Sequence, residues 1–269
     1  PLQRLWPVER VTDRHAIGID VIYTLIHRLG LFKLVMFFSV ELWLTQGIGW
    51  LRAHGLPTLQ IDQLWPGVTD KAWVSFAIYL VVFDLIGYLV HRAQHRFDAW
   101  WALHALHHSQ RQMSCWSNDR SNYLDGMLQS FVLASVGLAM GVEPSEFAML
   151  GLLSELVQNF SHANVALRLG WLGQLGERLF VGPRFHRNHH MLRDAERPER
   201  HNCNFGQVLP WWDQLFDTAL YHDEELRPTG VSDPDSRMHA IDESLDLGDF
   251  GKAALGEALW LERLGSRDA

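Results

Sequence analysis

The sequence predicts an all-α integral membrane protein with about four transmembrane helices, arranged as two hairpins, and a histidine-rich helical cap on the cytoplasmic side. Three observations carry that reading: long apolar runs, a one-sided distribution of arginine, and histidines repeated at helical spacing. The average composition hides all three. The 269 residues carry a net charge of -8 and are 48% hydrophobic, with a mean hydropathy of -0.07, values that alone suit a soluble domain. They exclude a disordered chain. The acidic balance excludes a general nucleic-acid binder, whose affinity comes from surplus Lys and Arg. Two cysteines, Cys115 and Cys203, with no CxxC between them, exclude a disulfide scaffold.

A bilayer crossing needs roughly 20 apolar residues at about 1.5 Å each. The first run, about residues 20–44, carries Lys33 and Glu41, which are placed to pair with each other. The second, Ala72 to Val90, is broken only by Ser75, Asp84 and Gly87. A third, Met127 to Val142, and a fourth, Phe147 to Val157, are separated by Glu143-Pro144-Ser145, which reads as the turn of a helical hairpin. Each of these last two is short for a full span. Basic residues sort around the runs: Arg4, Arg10 and Arg14 precede the first, Arg92, Arg96, Arg111 and Arg120 follow the second, and seven arginines from Arg168 to Arg200 follow the fourth. Between them, residues 46–71 hold only Arg52 and Lys71, and residues 141–146 hold no basic residue. Cytoplasmic loops are the ones rich in Lys and Arg, so both termini are expected in the cytoplasm, from a bacterial inner membrane or the endoplasmic reticulum. Residues 1–221 then form the membrane domain. Residues 222–269 hold twelve acidic and five basic residues and form an acidic tail, with Leu255, Leu259 and Leu264 near one face of a short amphipathic helix.

The chemistry lies in the fifteen histidines. His91 and His95 are spaced i, i+4; His104, His107 and His108 are spaced i, i+3, i+4; His186, His189 and His190 repeat that second pattern. Residues three and four apart share a helix face, so each cluster points its imidazoles to one place. Protonatable rings packed together repel unless a metal organises them. His15, His27, His54, His222 and His239 have no partner at ligand spacing and are expected to be packing residues, while His201 stays open. The sequence contains neither HExxH nor the ExxH of carboxylate di-iron bundles, so an all-histidine site for two metal ions is implied. Imidazole suits iron, zinc and copper alike. A polynuclear site at the mouths of apolar helices fits oxidation of a lipid. Asp98, Asp119 and Asp125 are candidates to orient the rings by accepting the second N–H. Asp84 and Glu155 lie inside apolar runs, where ionisable groups face the bundle interior and can line a site. Trp100, Trp101, Trp211 and Trp212 flank the clusters and suit either a membrane-interface belt or core packing.

These boxes, together with Ser161-His162-Ala163-Asn164-Val165, resemble the fatty acid hydroxylase and sterol desaturase superfamily over about residues 75–220. Asp84, Trp100-Trp101, Ser109, Arg120, Pro183 and Asn204-Phe205-Gly206 leading into Trp212-Asp213-x-Leu215-Phe216 extend the likeness. Asn202 and Asp217 depart from it, since the family commonly has an acidic residue at the first position and a glycine at the second. The resemblance implies a di-iron oxygenase of the membrane that uses O2 to hydroxylate an unactivated C–H of a lipid (acyl chain, sterol or other isoprenoid-type lipid), or to desaturate it. The ligands it implies are His91, His95, His104, His107, His108, His162, His186, His189 and His190. Asp84, Asp98, Arg120, Asp125 and Asn204 are the candidates to support them, and no substrate-contacting residue is indicated. The cofactor is two iron ions (Fe2+/Fe3+), with zinc able to substitute. With no GxGxxG and no CxxCH on the chain, electrons are expected from a separate ferredoxin or b-type cytochrome with its reductase. The competing class is a non-enzymatic membrane protein that binds or moves metal, or ligates haem. A transporter places its ligands near the bilayer midplane, whereas these clusters follow or lie outside the apolar runs.

Overall fold

A computed structural model describes residues 2–36, 38, 42–55, 57–166, 170–192, 202–221 and 228–231. The described chain is helical: it holds no β-strand, only a bridge pairing Met191 with Thr229. Apart from residues 228–231, the acidic tail with its expected amphipathic helix lies outside what is described, as do the histidines at 201, 222 and 239 and the expected Lys33–Glu41 pair.

Helices α1 (Leu2–Leu5), α2 (Arg14–Arg28), α3 (Leu31–Met36) and α4 (Leu42–Ala53) form the N-terminal region. The 20–44 run is therefore not the single continuous helix that its apolar length suggests. α2 stops at Arg28, and Gly30 takes φ +88° before α3 begins. Glycine adopts that left-handed conformation at little cost, and it breaks the rod.

Two of the described helices are long and apolar enough to cross a membrane: α5 (Ala72–Arg96) and α7 (Tyr123–Met140). α7 starts where the Asn122 side chain accepts the N–H of Leu124 at 2.8 Å. It ends at Gly141, φ +71°, and α8 (Pro144–Ser161) begins with proline in its first turn, so the expected break falls in place. α5 packs against both α7 and α8. Ile61, Tyr79, Met140 and Leu150 form a buried cluster with Phe76, Phe83 and Val136 around it, at the ends of these helices remote from the histidines. On the outer faces, Leu124, Leu128 and Phe131 of α7 and Met149, Leu152 and Leu156 of α8 are exposed at i, i+3, i+4 and i+7 spacings. Such stripes are uncovered apolar surface rather than core. An apolar groove of about 500 Å³ between α4 and α7, lined by Trp43, Ile48, Leu51 and Phe131, has no box histidine in its wall.

Of the remaining elements, α6 (Asp98–His108) and α10 (Pro183–His189) carry histidine boxes, and α11 (Trp211–Leu215) is tied to α9 (Gly170–Leu179) by Gln214 Nε2 donating to the Arg178 carbonyl at 3.0 Å.

Candidate metal centre

The nine histidines sit in the C-terminal parts of four helices: His91 and His95 on α5, His104, His107 and His108 on α6, His162 capping α8, and His186, His189 and His190 at the end of α10. A helix C-terminus carries a partial negative charge, so four of them meeting in one place favour a cation there. The imidazoles fall into two groups, His91, His95, His104, His108 and His189, and then His107, His162, His186 and His190. Within each group the potential ligand atoms lie within 4.8 Å of one another, and all nine rings are buried except the half-buried His95. The groups abut, with His108 stacked on His190 at 4.3 Å between ring centroids.

Hydrogen bonds fix the rings. Nδ1 of His91 donates to the Phe205 carbonyl (2.8 Å), Nδ1 of His189 to that of Cys203 (2.8 Å), Nδ1 of His107 to that of Arg120 (3.2 Å) and Nδ1 of His162 to that of Gln158 (2.7 Å). His104 Nδ1 donates to Asp125 Oδ2 at 2.8 Å, while Oδ1 of the same carboxylate accepts from Gln94 Nε2 (2.6 Å) and Trp100 Nε1 (2.8 Å). A carbonyl can only accept, so each of these Nδ1 atoms carries the ring proton and each Nε2 keeps a lone pair. The Nε2 atoms of His91, His104 and His189 are buried with no hydrogen-bond partner among the described residues.

This arrangement sets ring nitrogens against one another. Nε2 of His107 lies 3.2 Å from Nε2 of His162, which lies 3.1 Å from Nε2 of His186. With both Nδ1 protons committed to carbonyls, the first contact sets lone pair against lone pair. A proton does not resolve it, because burial holds the rings neutral: His162 is lowered to about 4, and His107, His186 and His190 are lowered as well. A divalent metal about 2.1 Å from each nitrogen sets neighbouring ligands about 3.0–3.4 Å apart, which is the spacing of these atoms. The residues fit metal ions.

The carbonyls are placed by a tightly tied loop. Asp213 accepts from the N–H of Phe205 (2.8 Å) and of Gly206 (2.7 Å), and Asp84 accepts from the N–H of Val208 (2.9 Å) and Leu209 (3.1 Å) and from Trp212 Nε1 (3.0 Å). At Gly206 a Cβ would lie 2.7 Å from the Leu209 carbonyl oxygen, so glycine is needed for the close approach. Asn204 holds φ +57°, its amide bonding the carbonyls of Phe185 (2.7 Å) and Leu220 (2.9 Å). Asp217, where glycine was expected, has φ +56°, a left-handed position that aspartate tolerates better than most residues.

Residues 76–218 match the family described as fatty acid hydroxylase. The chain belongs to that family. Among curated family relatives it is 30% identical over 196 residues to an ornithine lipid hydroxylase from Rhizobium tropici (72% of this chain, 51% of the relative). It is 27% identical over 206 residues to an alkylglycerol monooxygenase from Caenorhabditis elegans (71% and 37%). It is 24% identical over 182 residues to a Delta(7)-sterol 5(6)-desaturase from Gibberella zeae (67% and 51%). The chain thus spans about half or less of the length of these relatives. No solved structure matches it at a significant level.

Of the residues expected to support the histidines, Asp125 contacts a ring directly, Arg120 does so through its carbonyl, and Asn204 and Asp84 act at one remove, through the loop. Asp98 is not brought in: it is exposed in the first turn of α6, where a carboxylate suits the helix dipole. Asp119 and Glu155 are not brought in either, since both pair with Arg28. Trp100 and Trp212 donate to carboxylates and Trp101 lies 4.9 Å from His95, so these three pack inside the protein, while Trp211 remains exposed. His27 stacks on Tyr123 and His54 on Trp50, as expected of packing residues. Sequence reasoning missed the carbonyls of Gln158, Cys203 and Phe205, which carry no side-chain signal. It also missed Gln94, whose position one residue before His95 was the available clue.

Proposed function

We propose that the chain is a membrane-embedded di-iron oxygenase that uses O2 to hydroxylate an unactivated C–H of a membrane lipid, an acyl chain, sterol or other isoprenoid-type lipid. The observation that carries this reading is the set of opposed Nε2 atoms inside a buried cluster of nine imidazoles. The relatives, named as a lipid hydroxylase, an alkylglycerol monooxygenase and a sterol desaturase, support a lipid substrate. We assign the five-histidine group to one iron and the four-histidine group to the other, with zinc able to occupy the same imidazoles. Bound iron supplies the activation of O2 and the opening of a C–H bond, which no side chain can achieve.

The chain's own residues aim and dry the site. The Nδ1–H bonds of His91, His104, His107, His162 and His189 hold those five imidazoles in the ligating tautomer. Phe205, against His91, His95 and His189, and Trp101, against His95 and His108, wall the cluster with apolar rings and keep water from it. α5 and α7 cross the bilayer, and α8 with the helices of residues 14–53 brings the count to about four spans. The exposed stripes of α7 and α8 face lipid. The histidine-bearing ends form the cytoplasmic cap, with both termini on that side of a bacterial inner membrane or the endoplasmic reticulum. Residues 1–221 are the membrane domain and residues 222–269 an acidic tail. A separate ferredoxin or b-type cytochrome, with its reductase, delivers electrons.

The desaturase relative favours a second reading, removal of two hydrogens at the same centre. One experiment separates the readings: purification from iron-rich medium with metal analysis, beside lipid mass spectrometry of cells with and without the protein. Two irons per chain and a lipid heavier by one oxygen are expected. A lipid lighter by two hydrogens establishes the desaturase. Haem absorbance, a single zinc, or unchanged lipids with iron present overturns both.

A further inference from the structure

The weakest-looking link in the histidine cluster is His107, whose Nδ1 donates to the carbonyl of a loop residue, Arg120, at 3.2 Å. That carbonyl ends the 3-10 turn Ser117–Asp119, and the turn is held from outside by α2. Asp20, Thr24 and Arg28 lie at i, i+4 and i+8 on one face of α2 and meet the turn along its length. Asp20 Oδ1 pairs with Arg120 Nε at 2.8 Å, and its Oδ2 accepts from Ser117 Oγ at 2.9 Å. Thr24 Oγ1 donates to the Trp116 carbonyl at 3.1 Å, and Arg28 Nε pairs with Asp119 Oδ2 at 3.1 Å. Arg120 also reaches back to Ser109, next to His108, through Nη1 at 3.2 Å.

The Asp20–Arg120 pair differs from an ordinary surface bridge. Asp20 is 2% exposed and Arg120 7%. A buried ion pair adds little net stability over an apolar pair of the same shape, but its geometry is exacting. Here it fixes the one residue whose carbonyl sets the tautomer and tilt of His107. α2 lies outside residues 76–218, the part of the chain that carries the family match.

We infer that Asp20 is a positioning residue for His107: by clamping Arg120 it makes α2 part of the four-histidine site. The inference rests on the two-iron reading proposed above. It predicts an asymmetric defect, since only the four-histidine group contains His107.

The test follows iron loss to a chelator from the iron-loaded full chain. The wild type is expected to hold two irons. Asp20→Asn, close in shape but uncharged, is expected to release one of them about tenfold faster and the other at the wild-type rate. Arg28→Gln removes the neighbouring contact of α2 to Asp119 but not the one to Arg120, and both irons are expected to leave at the wild-type rate. The double variant Asp20→Asn/Arg120→Gln leaves no buried charge unpaired, and it gives the decisive reading if the single variant does not fold. It is expected to show the same single fast iron. A folded Asp20→Asn or double variant that keeps both irons at wild-type rates overturns the inference, as does an Arg28→Gln chain with the same fast iron. A wild type without iron instead overturns the two-iron reading itself.

Discussion

One histidine group is built mostly by a single stretch of chain, and the other only by distant ones. His91, His95, His104 and His108 come from α5 and α6, consecutive in sequence, and only His189 arrives from elsewhere. His107, His162 and the pair His186 and His190 come from α6, α8 and α10. The anchors differ too. The five-histidine group leans on a carboxylate, Asp125, and on the 203–205 loop, whereas in the four-histidine group the ring acceptors among the described residues are two carbonyls, those of Arg120 for His107 and Gln158 for His162. Four rings of the first come from one continuous stretch of chain, whereas the second takes its rings from three elements, α6, α8 and α10, that are separated in sequence.

The largest effects break one group and spare the other. His104→Ala and His190→Ala are each expected to abolish lipid product, with iron falling from two to one per chain by metal analysis. Loss of both irons in either variant means the groups bind as one unit. Next, Asp125→Ala is expected to weaken iron at the five-histidine group about 10–100-fold in chelator competition, whereas Asp98→Ala, at an exposed position, leaves both sites within about twofold of wild type on the same scale.

In the metal-free protein the contrast is read through pH. Burial lowers His162 to about 4 and His189 to about 3. A histidine with a depressed folded pKa contributes full stability above its ordinary value of about 6.5 and loses it as pH falls towards the folded value. Thermal melting of the apoprotein is therefore expected to drop steadily below about pH 6.5. NMR of the rings is expected to find both His162, of the four-histidine group, and His189, of the five-histidine group, taking up protons only well below the usual imidazole range. Smaller again is Gly206→Ala, which forces a Cβ against the Leu209 carbonyl and is expected to cost about 1–3 kcal/mol in a melting experiment. Glu155→Gln, at a half-exposed pair with Arg28, is expected to change stability by less than about 1 kcal/mol.

The same contrast explains what the sequence disclosed. The i, i+3, i+4 spacing places His104, His107 and His108 on one helix, and that much follows from helix geometry. The spacing does not say that His107 parts from its neighbours to join His162, because that depends on how α8 and α10 dock. Among three candidate carboxylates only Asp125 meets a ring; the three look alike in sequence, and tertiary packing alone separates them. The carbonyls of Phe205 and Cys203 orient rings from over a dozen residues away and leave no trace in residue type. The hairpin break at 143–145 was legible because proline cannot continue a helix. The break between α2 and α3 rests on one glycine, Gly30, which among long apolar residues reads as ordinary helix sequence.

Asp84 bears on the order of assembly. Its carboxylate sits inside α5, and all three donors that satisfy it lie in residues 208–212, beginning 124 positions later in the chain. At about 5–20 residues per second of synthesis, those donors emerge roughly 6–25 s after Asp84 does. For that interval a helix long and apolar enough to cross a membrane carries an acid with no native partner. Its native partners wait on residues 208–212, so a chain truncated before Val208 is expected to leave both the Asp84 carboxylate and the loop at Phe205 and Gly206 without the groups that fix them.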